Sequence, residues 1–535
     1  MSGQNSVTQF IDHIRRSDRF ADQIVHHAQL PPVPPRFADV SSPWPEPIRL
    51  LLQGMGVNRL FSHQAEAIDH IRSGRHTVVS TSTASGKSLV YTLPVLEKIL
   101  GNPKSRSLYL FPLKALAQDQ FKTLQEIMLG WTGPVRPTAA IYDGDTKQHE
   151  RVRVRKNLPN ILFTNPEMLH LGIMPHHHLW ARFLSGLDFV VVDEVHTYRG
   201  VMGSNMSWVF RRLLRLCRYY GASPTFVFCS ATVGNPRSLS SDLTGLEVSA
   251  VTESGAPQGR KHVVFINPLF GAASNALALL EEALPRKLRT IVYTQSRKMT
   301  ELIAMWAAQR CKQDAGRISA YRSGFLPQER RSIESRLSSG ELLAVISTSA
   351  LELGIDIGAL DLCLLVGYPG SVMATWQRGG RVGRQQQDSG IFLLGHEDNL
   401  DQYFMANPEA FFQMQPEDAV INPFNPSIMS SHLQCAAADL PLQSTEDLLQ
   451  AEEVSRVAAG LVSRGDLLRS AGGEVLFATK KNIQSGVNLR GAGRVMTILD
   501  QASKACIGNI DTHRACHETH PGAVYLHRGR TFVVQ

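Results

Sequence analysis

The feature that most narrows the fold is a rhythm. Between about Val57 and Val251, short apolar runs (HTVVST, SLYLF, NILFT, FVVVDE and TFVFCSAT) alternate with longer segments of helical period such as LAQDQFKTLQEIML. Runs that are apolar throughout need cover on both faces, and intervening helices supply it, so the spacing predicts a parallel sheet. After the polar linker TESGAPQGRKH the rhythm restarts with RTIVYTQ, RISAYRSG, LLAVISTS, LDLCLLVGYP and SGIFLLG. The expected class is α/β, with two tandem parallel-sheet lobes over 57–255 and 256–425. Residues 1–56 hold a short amphipathic start and the proline-dense PPVPPRFADVSSPWPEP, which reads as an extended strap because each proline removes a donor and fixes φ. Beyond the second lobe the pattern turns helical (426–480) and then rich in short strands (481–535).

Composition excludes several classes of protein. With 43% hydrophobic residues the chain buries ordinary cores, so it is neither disordered nor a stapled miniprotein. No apolar run approaches the length of a membrane span, and the charged start is unlike a signal peptide, so a cytoplasmic protein away from membranes is expected. The 7 cysteines contain no C-x-x-C pair and read as reduced thiols. A net charge of +8 permits a polyanionic partner without establishing one.

The chemistry concentrates at the ends of the apolar runs. HTVVST leads straight into TSTASGKS (Thr81 to Ser88) and then a helical segment. That context suits phosphate: backbone N–H groups from Thr83, Ala84, Ser85 and Gly86 into the helix start cradle the anion. Lys87 carries charge to the β/γ oxygens, and the Ser88 hydroxyl can ligate Mg²⁺. Thr81 stands where the general phosphate-loop pattern has its first glycine. The run FVVVDE ends in Asp193-Glu194-Val195-His196. Asp193 at a strand tip can hold Mg²⁺ through water, while Glu194 orients and deprotonates an attacking water.

With these residues the chain resembles the superfamily 2 helicases of the DEAD/DEAH-box kind. Val191 to His196 resembles their motif II and Ser230-Ala231-Thr232 their motif III, which couples hydrolysis to lobe movement. Phe111 to Ala117 and Thr164-Asn165-Pro166-Glu167 resemble strand-contacting motifs of the first lobe. Thr348 through Gly354 to Asp356 resembles motif V, and Gln377 to Arg384 resembles motif VI. The resemblance implies RecA-like lobes with ATP and Mg²⁺ between them, Gln64 reading the adenine edge, and Gln377 on the γ-phosphate or the water. Arg381 and Arg384, three apart, share a face if this segment is helical and would then neutralise charge on the γ-phosphate.

A narrower similarity, to the bacterial mitomycin-repair-type (MrfA-like) DNA helicases and their fungal relatives, runs from about Phe10 to the end. It rests on HTYRGVMGSN, ALELGIDIG, LVGYPGSVMATWQRGGRVGR, INPFNP and HPGAVYLHRGR. It implies a 3′→5′ DNA helicase acting in repair on single-stranded and tailed duplex DNA, as a monomer, nucleoid-associated when working, with a repair nuclease or other repair protein as partner. It also implies a winged-helix-like module over 426–480 and a four-cysteine zinc module that has no counterpart in the sequence up to Gln535. Positions matching the family's nucleic-acid track are Lys114, Thr164, Asn165, Arg322, Ser323 and Thr348. An RNA helicase and a nucleotide-controlled clamp that remodels without unwinding remain the alternatives, because motor motifs do not distinguish the sugars.

Arg211, Arg215 and Arg218 fall at helical spacing, as a basic stripe or, in preference, a solvated face. Arg151, Arg153 and Arg155 stand equally open. His513, Cys516, His517 and His520 contain enough ligand types for zinc, but the stretch reads better as a loop entering a strand, so no zinc is expected. His176-His177-His178 reads as a solvated loop.

Overall fold

The apolar runs of the first half become strands buried along nearly their whole length: Thr77–Ser80, Arg106–Leu110, Ile161–Thr164, Leu187–Val192 and Thr225–Ser230. This computed structural model describes residues 4–322, 324–325, 327–352, 354, 357–383, 387–491, 495–504, 506–527 and 530–535. Ala139–Ile141 and Ser249–Val251 complete a 7-stranded sheet with every neighbouring pair parallel. Successive side chains of a strand point to opposite faces, and both faces are covered here. Val190, Val192, Phe226 and Phe228 pack with Phe210 and Leu213 of the helix Gly200–Tyr219, while Val79, Val191, Val227 and Cys229 pack with Ile68, Leu93 and Leu96.

The second lobe repeats the plan with Lys261–Ile266, Ser389–Leu394, Leu362–Val366, Thr290–Tyr293, Ala344–Ser347 and Ile318–Tyr321 in parallel neighbouring order. Its seventh strand departs from the expectation for residues 1–56. Ile24–Leu30 pairs antiparallel with Lys261–Ile266, and the helix Gln4–Arg16 buries Val7, Phe10, Ile11 and Ile14 in the core of the second lobe. The start of the chain is therefore part of that lobe. The reason it reads as a strap is physical: an edge strand such as IVHHAQL covers one side only, so it lacks the continuous apolar signature of a central strand.

The chain then crosses to the first lobe and later returns, and the two crossings pair. Val33 N–H donates to Gln258 O (2.9 Å), Gln258 N–H to Val33 O (3.0 Å), and Arg36 N–H to Gly255 O (2.9 Å).

Beyond the second lobe, Pro426–Asp439, Leu442–Gln443, Glu452–Ser463, Leu467–Arg469 and Val475–Ala478 form a winged-helix-like module with a 3-stranded sheet. Its core takes in Trp208 of the first lobe. Of the arginines of Gly200–Tyr219, Arg211 and Arg215 depart from both expectations, whereas Arg218 lies on a solvated face as expected. Arg215 lies buried against Glu446 and the carbonyls of Ala436 and Pro441, Arg211 holds the carbonyls of Asp242 and Leu243, and Arg218 reaches Asp447. Most of this helix lies within the protein, so Arg211, Arg212 and Arg215 hold elements together. Arg151 likewise bonds the carbonyls of Thr146 and Asp143. His177 is also no solvated residue: its ring joins the Tyr220 hydroxyl and Asp439 O, each at 2.7 Å.

After this module come the antiparallel pair Val495–Leu499 with Cys506–Asp511, the helix Thr512–Glu518 and the pair Val524–His527 with Arg530–Val533. Among the described residues, no helix is long and apolar enough to cross a membrane.

Candidate active site

The strand Thr77–Ser80 ends at the loop Thr81 to Gly86, and the helix Lys87–Gly101 begins at once. Gly86 takes φ +76°, and a Cβ there would stand 2.6 Å from Gln64 Nε2, so glycine answers both conformation and space. Lys87 Nζ donates to the carbonyls of Thr81 and Ser82, both at 2.8 Å. Burial lowers its pKa, opposed by the carboxylates of Glu194 and Asp193. Ser88 Oγ donates to Gln120 Oε1 at 3.0 Å.

Asp193 and Glu194 follow Leu187–Val192, the strand two places from the phosphate-loop strand. Glu194 has φ +51°, a left-handed conformation that L side chains rarely adopt. Burial and then the neighbouring Glu194 raise the Asp193 carboxyl to about 7. His196 Nδ1 lies 3.4 Å from Glu194 Oε2, from Ser230 Oγ and from the Ala231 N–H that donates to it. Ser80 Oγ in turn donates to Ala231 O (3.1 Å). One histidine thus touches both the acidic strand tip and Ser230-Ala231. Thr232 lines the adjoining cavity.

Contacts between the lobes reach both the phosphate loop and the acidic strand tip. Thr83 Oγ1 donates to Gly380 O (2.9 Å), and Gly354 N–H donates to Glu194 Oε1 (3.2 Å). A Cβ on Gly380 would lie 2.3 Å from Thr83 Oγ1, so this approach requires the glycine. Between the lobes lies a cavity of about 300 Å³, lined by Thr83, Ala84 and Ser85 on one side and Trp376, Gln377 and Gly380 on the other. Among the described residues Gln377 Nε2 is buried without a hydrogen-bond partner, a donor available to a ligand in the cavity. Arg381 lies past the end of the helix Val372–Gly379, not on a helix face; it is 2% exposed and donates to Glu352 O, and Arg378 pairs with the Glu352 carboxylate at 3.0 Å.

Other expected residues fall less simply. Gln64, expected at an adenine edge, accepts from Phe61 N–H and donates to Gly86 O, both at 2.9 Å. Here it braces the loop. Lys114 pairs with Asp145 (2.7 Å) and Arg322 with Glu301 (2.6 Å). Thr164 donates to Tyr142 O, and Asn165 caps Met168 N–H. Thr348 is half-buried at the end of Ala344–Ser347. Ser323, Asp356 and Arg384 lie outside the described residues. Cys516 is exposed on Thr512–Glu518, and no metal-holding cluster occurs among the described residues.

Two participants escape sequence reasoning. His63 is fully buried, and its Nε2 meets Ser85 O (3.0 Å) while Nδ1 accepts from Gly255 N–H (3.1 Å), tying the phosphate loop to an inter-lobe crossing. Burial lowers its pKa to about 4 and keeps it neutral. Its position beside Gln64 was the available signal. Gln120, which holds Ser88, had none.

A phosphate loop on one parallel-sheet lobe, facing glutamine and arginine on a second, defines a nucleotide-dependent two-lobed motor. Residues 61–239 match the DEAD/DEAH box helicase family, and residues 275–386 match the helicase conserved C-terminal domain. The chain belongs to the DEAD/DEAH box helicases of superfamily 2, and it is an ATP-dependent enzyme of that kind. It is 39% identical to the ATP-dependent helicase YprA of Bacillus subtilis over 99% of this chain and 72% of that protein. It is 33% identical to the ATP-dependent helicase HRQ1 of Saccharomyces cerevisiae, again over 99% of this chain but 51% of the relative. The helicase MrfA bound to DNA and AMPPNP superposes with a TM-score of 0.89 at 39% identity, covering 99% of this chain and 75% of that one.

Proposed function

We propose that this chain is a DNA helicase that couples ATP hydrolysis to 3′→5′ movement along single-stranded DNA and to strand separation, in DNA repair. The observation that carries the reading is the single cavity into which Thr83, Ala84 and Ser85 face from one lobe and Gln377 from the other. Hydrolysis in such a cavity is linked to the distance between lobes, because the groups that bind the triphosphate and those that answer its developing charge sit on different bodies. The choice of DNA is supported by the 39% identity to MrfA, whose structures are described as bound to DNA.

The residues divide the work. Lys87 and the loop N–H groups hold the β/γ oxygens once Lys87 leaves the carbonyls of Thr81 and Ser82. The Ser88 hydroxyl and the Asp193 carboxylate are hard oxygen donors that fit Mg²⁺, which would neutralise phosphate charge when bound. Glu194 orients and deprotonates the water, and Gln377, Arg381 and Arg384 answer charge on the γ-phosphate. Ser230, Ala231 and Thr232 carry the change through His196 toward the strand track, where Lys114, Thr164, Asn165, Arg322, Ser323 and Thr348 are the proposed contacts. No zinc is needed for these steps.

ATPase rates with single-stranded DNA, with RNA and alone, followed by opening of duplexes with a 3′ or a 5′ tail, test the reading. DNA stimulation and preference for the 3′ tail are expected. Stimulation by RNA alone would make this an RNA helicase, and stimulation without opening would make it a clamp.

A further inference from the structure

After the winged-helix-like module the chain returns to the first lobe and docks there. The short turn Ile483–Gly486 offers Gln484 O to His170 Nε2 (3.0 Å), and the Gln484 amide donates to Asp439 Oδ1 (2.9 Å). Leu489 is 3% exposed within the core of the first lobe, and Asn205 Nδ2 donates to Leu489 O (3.4 Å). Arg490 then reaches past them: its Nε bonds the Glu167 carboxylate and its Nη2 donates to Pro112 O (2.8 Å).

Pro112 and Glu167 follow Arg106–Leu110 and Ile161–Thr164, which are neighbouring parallel strands, so Arg490 bridges two loops at the same carboxyl edge. Those loops carry Lys114, Thr164 and Asn165, yet Thr164 and Asn165 are only 1% and 6% exposed and their side chains are engaged inward. The Arg490 side chain is 47% exposed and that of Glu167 is 38% exposed. An ion pair so open to water is weak, and a guanidinium with five donors keeps some for a second anion.

We infer that Arg490 is a phosphate-contacting residue of the nucleic-acid track, delivered to the first lobe by the segment that follows the winged-helix-like module. Glu167 holds its guanidinium in place and competes with the DNA phosphate for it. The inference rests on the proposed action on DNA. It extends the track to a third part of the chain, outside both lobes.

The test is binding of a fluorescent single-stranded oligonucleotide across a salt series, using the whole chain and the variants Arg490→Ala, Arg490→Lys and Glu167→Gln. Losing one phosphate contact should flatten the plot of log affinity against log salt by about 0.7 and weaken binding roughly three- to tenfold near 0.1 M salt. Arg490→Lys should restore the slope, and Glu167→Gln should bind at least as tightly as the wild type. A wild-type slope for Arg490→Ala, or a Glu167→Gln variant that weakens binding as Arg490→Ala does, overturns the inference, since the arginine would then only anchor the segment. Failure of the wild type to bind DNA would instead defeat the proposed function.

Discussion

Glu194 is held from two sides: its own backbone is left-handed, and its carboxylate accepts Gly354 N–H from the opposite lobe. A group positioned this way for water activation contributes about 10² to 10⁴ in rate. Glu194→Gln should therefore keep nucleotide affinity near the wild-type value while DNA-stimulated ATP hydrolysis falls by about that factor. Lys87→Ala should weaken nucleotide binding itself. Titration with a fluorescent ATP analogue beside steady-state ATPase rates separates the two, and a Glu194→Gln variant with wild-type turnover would remove Glu194 from the chemistry. At this scale the sequence is readable where one short segment contains the whole arrangement, as with Gly86, Lys87 and Ser88 or with Asp193 and Glu194. It is not readable where the partner is a backbone atom of a distant segment. His63 makes contacts with Ser85 O and Gly255 N–H that no residue type announces, and Gln64 is turned by the same packing.

The helix Gly200–Tyr219 joins the first lobe to the winged-helix-like module through charge buried at their interface. Arg212 is 1% exposed and bonds Asp439 Oδ2 through Nε at 2.8 Å and Nη2 at 2.6 Å. His170 and His432 also approach Arg212 Nη1, at 3.0 and 3.3 Å. Burial, and then the charge on Arg212, lowers both histidine pKa values, His170 to about 3. They stay neutral, so Asp439 alone balances the arginine. Removing one partner of such a pair costs about 3–5 kcal/mol, because the other charge is left in a dry site. Arg212→Met should lower stability by that order in urea unfolding, and Arg212→Met/Asp439→Leu should recover most of it. A double variant no better than the single one would show that the ion pair itself stabilises the interface. The helix was legible from its period; its charges were not, because Asp439 lies 227 residues further along the chain.

Both lobes were visible as two rounds of one rhythm, and the central strands fell where the apolar runs are. What the rhythm concealed was the route of the chain, since Ile24–Leu30 belongs to the sheet begun by residues more than two hundred positions later. Removing residues 1–30 should expose the edge of Lys261–Ile266 and uncover the core that receives Phe10 and Ile14. The shortened chain is expected to melt at lower temperature and to associate, as read by thermal denaturation and light scattering. A monomer with unchanged melting would show the second lobe to be complete without that strand. The same route means that the lobes are connected twice, and Val33 and Gln258 bind the two connections side by side. A string lets the bodies at its ends spin, whereas a ribbon folds along one line and resists torsion. On the proposed motor function, these paired connections favour one arc of opening and closing over sideways roll.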